Sequence, residues 1–333
     1  MIRPIGLRLT PRSLNPVCAA GLALAIAACA GSTTAPPEAS TLPGASGTEW
    51  ELGARMPRPR SEMPAVEIDG LIYVPGGFSG PLGTDDLEAY DIALDRWTRL
   101  APMPEGRHHL MAAAHQGTLY VFGGSVAVGW SASASAWRYD PASDAWEELT
   151  DMPEPRMAGA AVTLGETIYI VGGVGDSDQL LAYDPANEAW QTHSGPRQPR
   201  EHTAAVAYQG ELWVIGGRWS GAGELKSVEI FDPVEGTWRD GPALQIARGG
   251  FAAETVGDRI LVAGGEVILT GREALASVEI YDPELESWIV GPELPFAVHG
   301  VDAAAYQGRV YLLGGSDRAA GIRNMGRVQS YAP

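Results

Sequence analysis

The chain has 333 residues, 45% of them hydrophobic, with 42 glycines and 25 prolines. Gly and Pro together exceed the usual share of roughly 12%, so turns are frequent, while the apolar content is ample for a packed core and excludes a disordered chain. The formal charge of −18, from 23 basic and 41 acidic residues, argues against nonspecific binding to nucleic acid or to an anionic lipid surface.

Arg3, Arg8 and Arg12 precede an apolar run from Val17 to Ala28. Twelve residues are too few to span a bilayer, which takes about 20. A basic start, a short apolar run and small residues at its end read as a secretory signal. Ile26-Ala27-Ala28-Cys29 resembles the lipobox of bacterial lipoproteins, which implies lipidation of Cys29 and a mature N-terminus there. Ala28-Cys29-Ala30 also reads as an ordinary A-x-A cleavage site, which would release a soluble secreted protein. Ala30 rather than Asp after the cysteine implies, by the same resemblance, the outer membrane, facing either periplasm or cell surface. The other cysteine, Cys18, lies in the removed segment, so no intramolecular disulfide is expected. Residues 30–47 are Ser, Thr, Pro, Gly and Ala with one charge and read as a tether. The expected organisation is a signal peptide over 1–28, a lipidated cysteine and linker over 29–47, and one domain over 48–333.

That domain is one unit repeated six times. Gly-Gly pairs begin at 76, 123, 172, 216, 264 and 314, and Trp50, Trp97, Trp146, Trp190, Trp238 and Trp288 each precede one by 26 residues. Tyr90, Tyr139, Tyr183, Phe231 and Tyr281 stand seven residues before a tryptophan, and Tyr331 closes the series. Each unit parses into four strands A to D; in the second these are Leu110–His115, Thr118–Phe122, Ala136–Asp140 and Ala145–Leu149. Asp69-Gly70, Gln116-Gly117, Gln209-Gly210 and Gln307-Gly308 fit tight A–B hairpins. Asp-Pro at 140, 184, 232 and 282 opens the C–D turn. Four antiparallel strands at this period indicate a β-propeller. The Gly-Gly, Tyr and Trp pattern resembles kelch repeats, and covers residues 48–333. The first copy holds only strand D and the last stops after strand C, so pairing the two completes the sixth blade and closes the ring. The expected fold is an all-β, six-bladed kelch-type propeller. The repeated Gly-Gly and Trp residues read as packing requirements, and the Ala-rich A strands as lining of a crowded axis.

Spacing is constant except between Gly-Gly and the strand C aromatic, so length variation is confined to the B–C loops. These share a face with the D–A loops, and recognition tends to sit on such a face. Arg60, Arg107, Arg156, Arg200 and Arg248 each follow a tryptophan by ten residues, with Val298 at the sixth place. They read as a ring at the pore mouth, either bonding loop carbonyls or holding a carboxylate or other anion. His108, His109, His202 and His299 lie beside these positions. Imidazoles suit Zn or Cu, but no repeated ligand spacing specifies a metal, so neither metal nor cofactor is expected. Glu201 beside His202 is the candidate acid/base pair. Trp130, Trp219 and Phe78 in B–C loops suit stacking on a sugar or peptide, and Arg218 points to the same rim. Asp176 and Asp178 are too close together to signal a metal site.

Two functions compete. One is an envelope-anchored recognition module, expected to be monomeric, binding a glycan, peptide or protein through the B–C/D–A face. The other follows from resemblance to bacterial sialic acid mutarotases: a carbohydrate isomerase acting on an acidic sugar, with Glu201 or His202 as acid/base and Arg200 and Arg218 on the carboxylate. A copper radical oxidase of the galactose oxidase kind needs a Cys–Tyr crosslink, for which the mature chain has no cysteine beyond the lipidated one.

Overall fold

The computed structural model describes residues 49–80, 82–126, 131–175, 178–268, 271–321 and 323–333, all within the compact unit Thr41–Pro333. Signal peptide, lipobox, Cys29 and tether lie outside them, as do Trp130 and Asp176. No helix among the described residues is long and apolar enough to cross a membrane.

Six four-stranded antiparallel sheets form the propeller. In blade 2 the strands run Met111–His115, Thr118–Phe122, Ala136–Asp140 and Ala145–Glu148, within one residue of the expected bounds. Innermost strands are Val66–Ile68 in blade 1, then Ala160–Leu164, Ala204–Tyr208, Ala252–Val256 and Asp302–Tyr306 in blades 3 to 6. Blade 6 is composite: Glu51–Gly53 pairs antiparallel with Val328–Tyr331 in the register Glu51↔Ser330, Leu52↔Gln329, Gly53↔Val328. The ring therefore closes as expected. The A–B hairpins of blades 1, 2, 4 and 6 have positive φ at both turn residues, for example 48° at Gln116 and 77° at Gly117, the requirement of a type I′ turn, whereas in blades 3 and 5 only the first turn residue, Gly165 or Gly257, has positive φ, the type II′ pattern.

The hydrophobic core lies between blades. Six buried clusters each join two neighbours: Leu119, Val121 and Tyr139 of blade 2 pack with Tyr73, Leu87 and Ala89 of blade 1, and Leu312 and Tyr331 of blade 6 pack with Leu261 and Ile280 of blade 5. In strand B four of the five residues are buried in blades 2 to 6. Its side chains alternate between the interfaces on its two sides, which explains why these strands are almost continuously apolar.

Three repeated bonds couple neighbouring blades. Each series tryptophan packs on its own blade's strand C aromatic, with centroids 4.7–5.6 Å apart. Its indole Nε1–H donates to the carbonyl four residues beyond the previous blade's tryptophan: Ala54, Ala101, Thr150, Ser194, Pro242 and Pro292. The second glycine of each pair donates its N–H at 2.8–2.9 Å to the next blade's D–A loop, at Arg107, Arg156, Arg200, Arg248, Val298 or Arg60. A Cβ on the first glycine would press on that same carbonyl, and φ there is 52–70°, so glycine is required twice over.

The third bond is a closed belt around the axis. The N–H of His109 donates to Glu62, Ala158 to His109, His202 to Ala158, Gly250 to His202, Gly300 to Gly250, and Glu62 to Gly300, all at 2.7–3.0 Å. All six residues have φ between 49 and 62°. Below the belt the Ala-rich A strands line an axial channel, with a cavity of about 120 Å3 next to the belt and one of about 300 Å3 further along.

Candidate functional site

The five series arginines are not on the channel surface. They are 0–6% exposed, and their guanidiniums bind groups of their own blades. Arg248 donates to the carbonyls of Gly264 and Ser277, to Ser277 Oγ and to Glu279 Oε1 at 2.7–3.0 Å. Arg200 repeats this with Gly216, Ser227 and Glu229, and Arg60 with Gly76, Asp86, Val74 and Glu88. Burial alone would raise the Glu229 carboxyl, but the N–H groups of Gln198 and Arg197 and the Arg200 charge hold it below the usual range. Arg156 uses Ile170, Gln179 and Glu154. Arg107 bonds Gly123 and Glu105 and stacks over Trp137 at 4.8 Å.

The strand C residue two before the aromatic explains this variation. It is Glu88, Glu229 or Glu279 where an Arg–Glu pair forms, Trp137 where the arginine stacks, and Leu181 where Arg156 turns to Glu154. Where Val298 replaces the arginine, the position is a buried neutral Gln329. A buried carboxylate without its cation would be costly, so the two changes compensate. Of the two readings of Arg60, Arg107, Arg156, Arg200 and Arg248, the structure therefore agrees with the first: each is buried and bonds groups within its own blade, Arg200 at 0% exposure.

The polar site is built from three other positions that recur in every blade. The belt carries Glu62, His109, Ala158, His202, Gly250 and Gly300. Just outside it stand Ser61, His108, Met157, Glu201, Gly249 and His299. Each of these bridges to the residue after Gly-Gly, namely Phe78, Ser125, Val174, Arg218, Glu266 and Ser316. The functional side chains are therefore fixed by the belt and by these bridges, on rigid backbone at the ends of strands.

Glu62 Oε2 lies 3.4 Å from His109 Nε2 and 3.9 Å from His202 Nε2. The two imidazole Nε2 atoms are 3.0 Å apart. On the other side of the carboxylate, Oε1 is 3.9 Å from His299 Nε2, which is 3.4 Å from Glu266 Oε2. Arg218 Nε donates to Glu201 Oε1 at 2.8 Å, its Nη1 pairs with Glu266, and its Nη2 lies 3.0 Å from His202 Nε2.

These contacts fix the tautomers. Glu201 faces His202 Nδ1, so that nitrogen carries the proton, and Arg218, a donor only, faces Nε2, which must accept. His109 Nε2 then carries its proton between two acceptors, Glu62 Oε2 and the His202 Nε2 lone pair that it shares with Arg218, which leaves His109 Nδ1 to accept from His108 Nδ1. His299 Nδ1 donates to the Ser316 carbonyl at 3.1 Å, which leaves its Nε2 lone pair facing the axis. Burial lowers the basicity of His109, His202 and His299. Burial and the nearby Glu266 charge, opposed by Arg218, push Glu62 up to about 7. The site thus pairs a carboxyl that titrates near neutrality with neutral imidazoles.

Of the residues expected from sequence, His109, His202, His299, Glu201 and Arg218 come together. Trp219 sits beside them in a short hairpin, paired with Gly223, and is half-buried. Phe78 stacks on His108 with centroids 3.9 Å apart. Two central residues, Glu62 and Glu266, escaped the sequence reading, although each occupies a fixed repeat position.

Comparison with known proteins agrees with the fold. The profile of the attractin/LZTR1 β-propeller family matches residues 72–321. Kelch-like protein 40 of Mus musculus is 37% identical over 76 residues, 23% of this chain and 12% of that protein. Its counterpart in Xenopus laevis is 32% identical over 80 residues, 24% of this chain and 13% of that protein. The F-box/kelch-repeat protein At1g16250 of Arabidopsis thaliana is 29% identical over 80 residues, 23% of this chain and 21% of that protein. These matches span only small parts of the relatives' lengths. The solved structure of YjhT superposes with a TM-score of 0.73 at 17% identity, covering 82% of this chain and 95% of that one.

Proposed function

We propose, for a chain that belongs to the attractin/LZTR1 β-propeller family, that the axial site is a mutarotase-like acid–base centre acting on an acidic sugar. The observation that carries this is the position of Glu62 on the axis, 3.4 Å from His109 Nε2 and 3.9 Å from His202 Nε2, where burial and the nearby Glu266 push its carboxyl up to about 7. Mutarotation needs one group to protonate the ring oxygen while another takes the anomeric hydroxyl proton. The C–O bond then opens, the aldehyde or ketone end turns, and the ring recloses by the reverse transfers. A carboxyl that burial raises toward neutrality, beside neutral imidazoles, supplies both roles without net proton exchange. Arg218, 16% exposed at its side chain and paired with Glu201 and Glu266, is the cation we assign to the sugar's carboxylate. The sequence resemblance to sialic acid mutarotases supports the same substrate class, and the lipobox resemblance supports an envelope location.

The test is exchange between the anomers of a sialic acid, followed by NMR magnetisation transfer. Catalysed exchange is expected, reduced roughly 100-fold or more in Glu62→Gln and weakened in KM by Arg218→Ala. Absence of exchange above the buffer rate would reject the proposal. A second reading, recognition of a macromolecule by the loops, is favoured by one feature: a cavity of about 290 Å3 in blade 1, lined by Arg58, Leu82 and Thr84, with Leu82 itself 56% exposed.

A further inference from the structure

The geometry points to a divalent transition-metal site at the belt, with Glu62, His109 and His202 as ligands; we infer that it takes Zn2+ or a similar borderline cation. The inference uses the residues of the proposed acid–base centre but not the sugar chemistry. Its donors come from three different blades, which is why no ligand spacing in the sequence announces it. One donor atom from each of these residues lies within 4.8 Å of the others. A tetrahedral ion holding nitrogen and oxygen at 2.0–2.1 Å sets neighbouring donors about 3.3 Å apart; the separations here are 3.0, 3.4 and 3.9 Å. The ion would take the place of the hydrogen bond between the two Nε2 atoms and displace Arg218 Nη2 from the His202 Nε2 lone pair, with His109 carrying its proton on Nδ1 and donating to His108 Nδ1, whose own proton moves to Nε2.

The surroundings are those of a supported metal site. Ligand imidazoles usually donate their remote N–H to a carboxylate or carbonyl, which holds the ring and its tautomer. His202 does so to Glu201. His299, with Nδ1–H on Ser316, turns its Nε2 toward the other oxygen of Glu62 at 3.9 Å and is placed as a fourth donor after a small rotation. Charge agrees: Glu62, Glu201 and Glu266 face one guanidinium, Arg218, so a divalent ion balances the cluster when the imidazoles are neutral. Imidazole donors favour Zn2+, Co2+, Ni2+ or Cu2+ over Mg2+ and Ca2+. A bound ion would occupy the Glu62 lone pairs, so it would inhibit proton transfer at that carboxyl.

The experiment uses the full chain, stripped with EDTA and titrated with Zn2+ alone by calorimetry, with bound metal measured after desalting. One ion per chain is expected. Glu62→Gln and His202→Ala should each weaken binding by about 100-fold or more, and Glu201→Gln by roughly 10–100-fold, while His193→Ala, away from the belt, leaves it unchanged. Where a variant fails to fold, Cu2+ bound to the wild-type chain is examined by pulsed EPR, where couplings from imidazole nitrogens are expected. No binding at millimolar Zn2+, binding unchanged in both Glu62→Gln and His202→Ala, or the lack of imidazole couplings would each overturn the inference. Binding together with no sugar exchange in the metal-free chain would uphold it and reject the proposed activity; exchange in the metal-free chain without metal binding would do the reverse. If both hold, stoichiometric Zn2+ abolishes exchange and EDTA restores it.

Discussion

Replacing Arg248 by valine tests whether the buried arginines are bolts. This guanidinium donates five hydrogen bonds, four at 2.7–3.0 Å and one from Nε to the Ile246 carbonyl at 3.4 Å, and its partner Glu279 is 1% exposed. Removing one member of a buried ion pair leaves the other without compensation, at a cost of about 3–5 kcal/mol. The chain itself contains the remedy, since blade 6 combines Val298 with Gln329. Arg248→Val together with Glu279→Gln removes the stranded charge, while the glutamine oxygen still accepts from Gln245 or Ile246, whose N–H groups now bind Glu279. The pair of changes should recover at least ~2 kcal/mol of the single-variant loss, a coupling within the range for directly contacting residues. Equilibrium urea unfolding of the wild type, both single variants and the double variant measures this as a cycle. Strict additivity, or a double variant less stable than Arg248→Val, would refute the account of the arginine series.

Four other outcomes follow from the same geometry. Trp190→Phe keeps the ring but loses the bond to Thr150, and should cost ~0.5–1.5 kcal/mol in urea unfolding. Deleting residues 49–53 removes the strand that completes blade 6 and should lower the melting temperature of the whole propeller in one transition; an unchanged melting temperature would contradict closure. Gly300→Ala, at φ 58° and with its Cβ directed at the Glu62 carboxylate, should destabilise the belt and displace Glu62, seen as a shifted pH profile of sugar exchange. In the channel, burial pushes Glu254 up to about 8 and Asp302 up to about 7. Between about 4.5 and 8 the unfolded chain has released protons that the folded chain keeps, so these groups make stability fall as pH rises. Glu254→Gln should flatten that decline, measured by unfolding at pH 5 and pH 8.

The fold was legible because its signals repeat at fixed spacing. Gly-Gly, the strand C aromatic and the tryptophan mark backbone contacts that every blade must make, and chain ends cut at complementary points announced the composite blade. The arginines were legible as a series, but their direction was not. Whether a guanidinium faces the axis or its own sheet depends on partners such as Glu279 and Ser277, some 30 residues away. The position two before the strand C aromatic held that information, in the joint change to Val298 and Gln329. Glu62 was missed for a different reason. It stands at the same repeat position as His109 and His202, but the other occupants are Ala158, Gly250 and Gly300, so the position has no shared residue type to attract notice. Only the belt, in which all six have positive φ, reveals that they are neighbours around the axis.

The belt has a consequence for how this molecule can change. Its six peptide groups bind one another head to tail, so the main chain there is saturated and identical from blade to blade. What distinguishes one blade from the next at the axis is the side chain alone, presently Glu, His, Ala, His, Gly and Gly. Ala158 and the two glycines are blank places in that circle. A substitution at Ala158, which already carries a side chain at φ 57°, would add a functional group to the centre of the site while leaving the belt's main-chain bonds in place, whereas at Gly300 a Cβ meets the Glu62 carboxylate. The propeller thus separates the main-chain bonds that close the ring from the side chains at three repeat positions per blade that give the ring its chemistry.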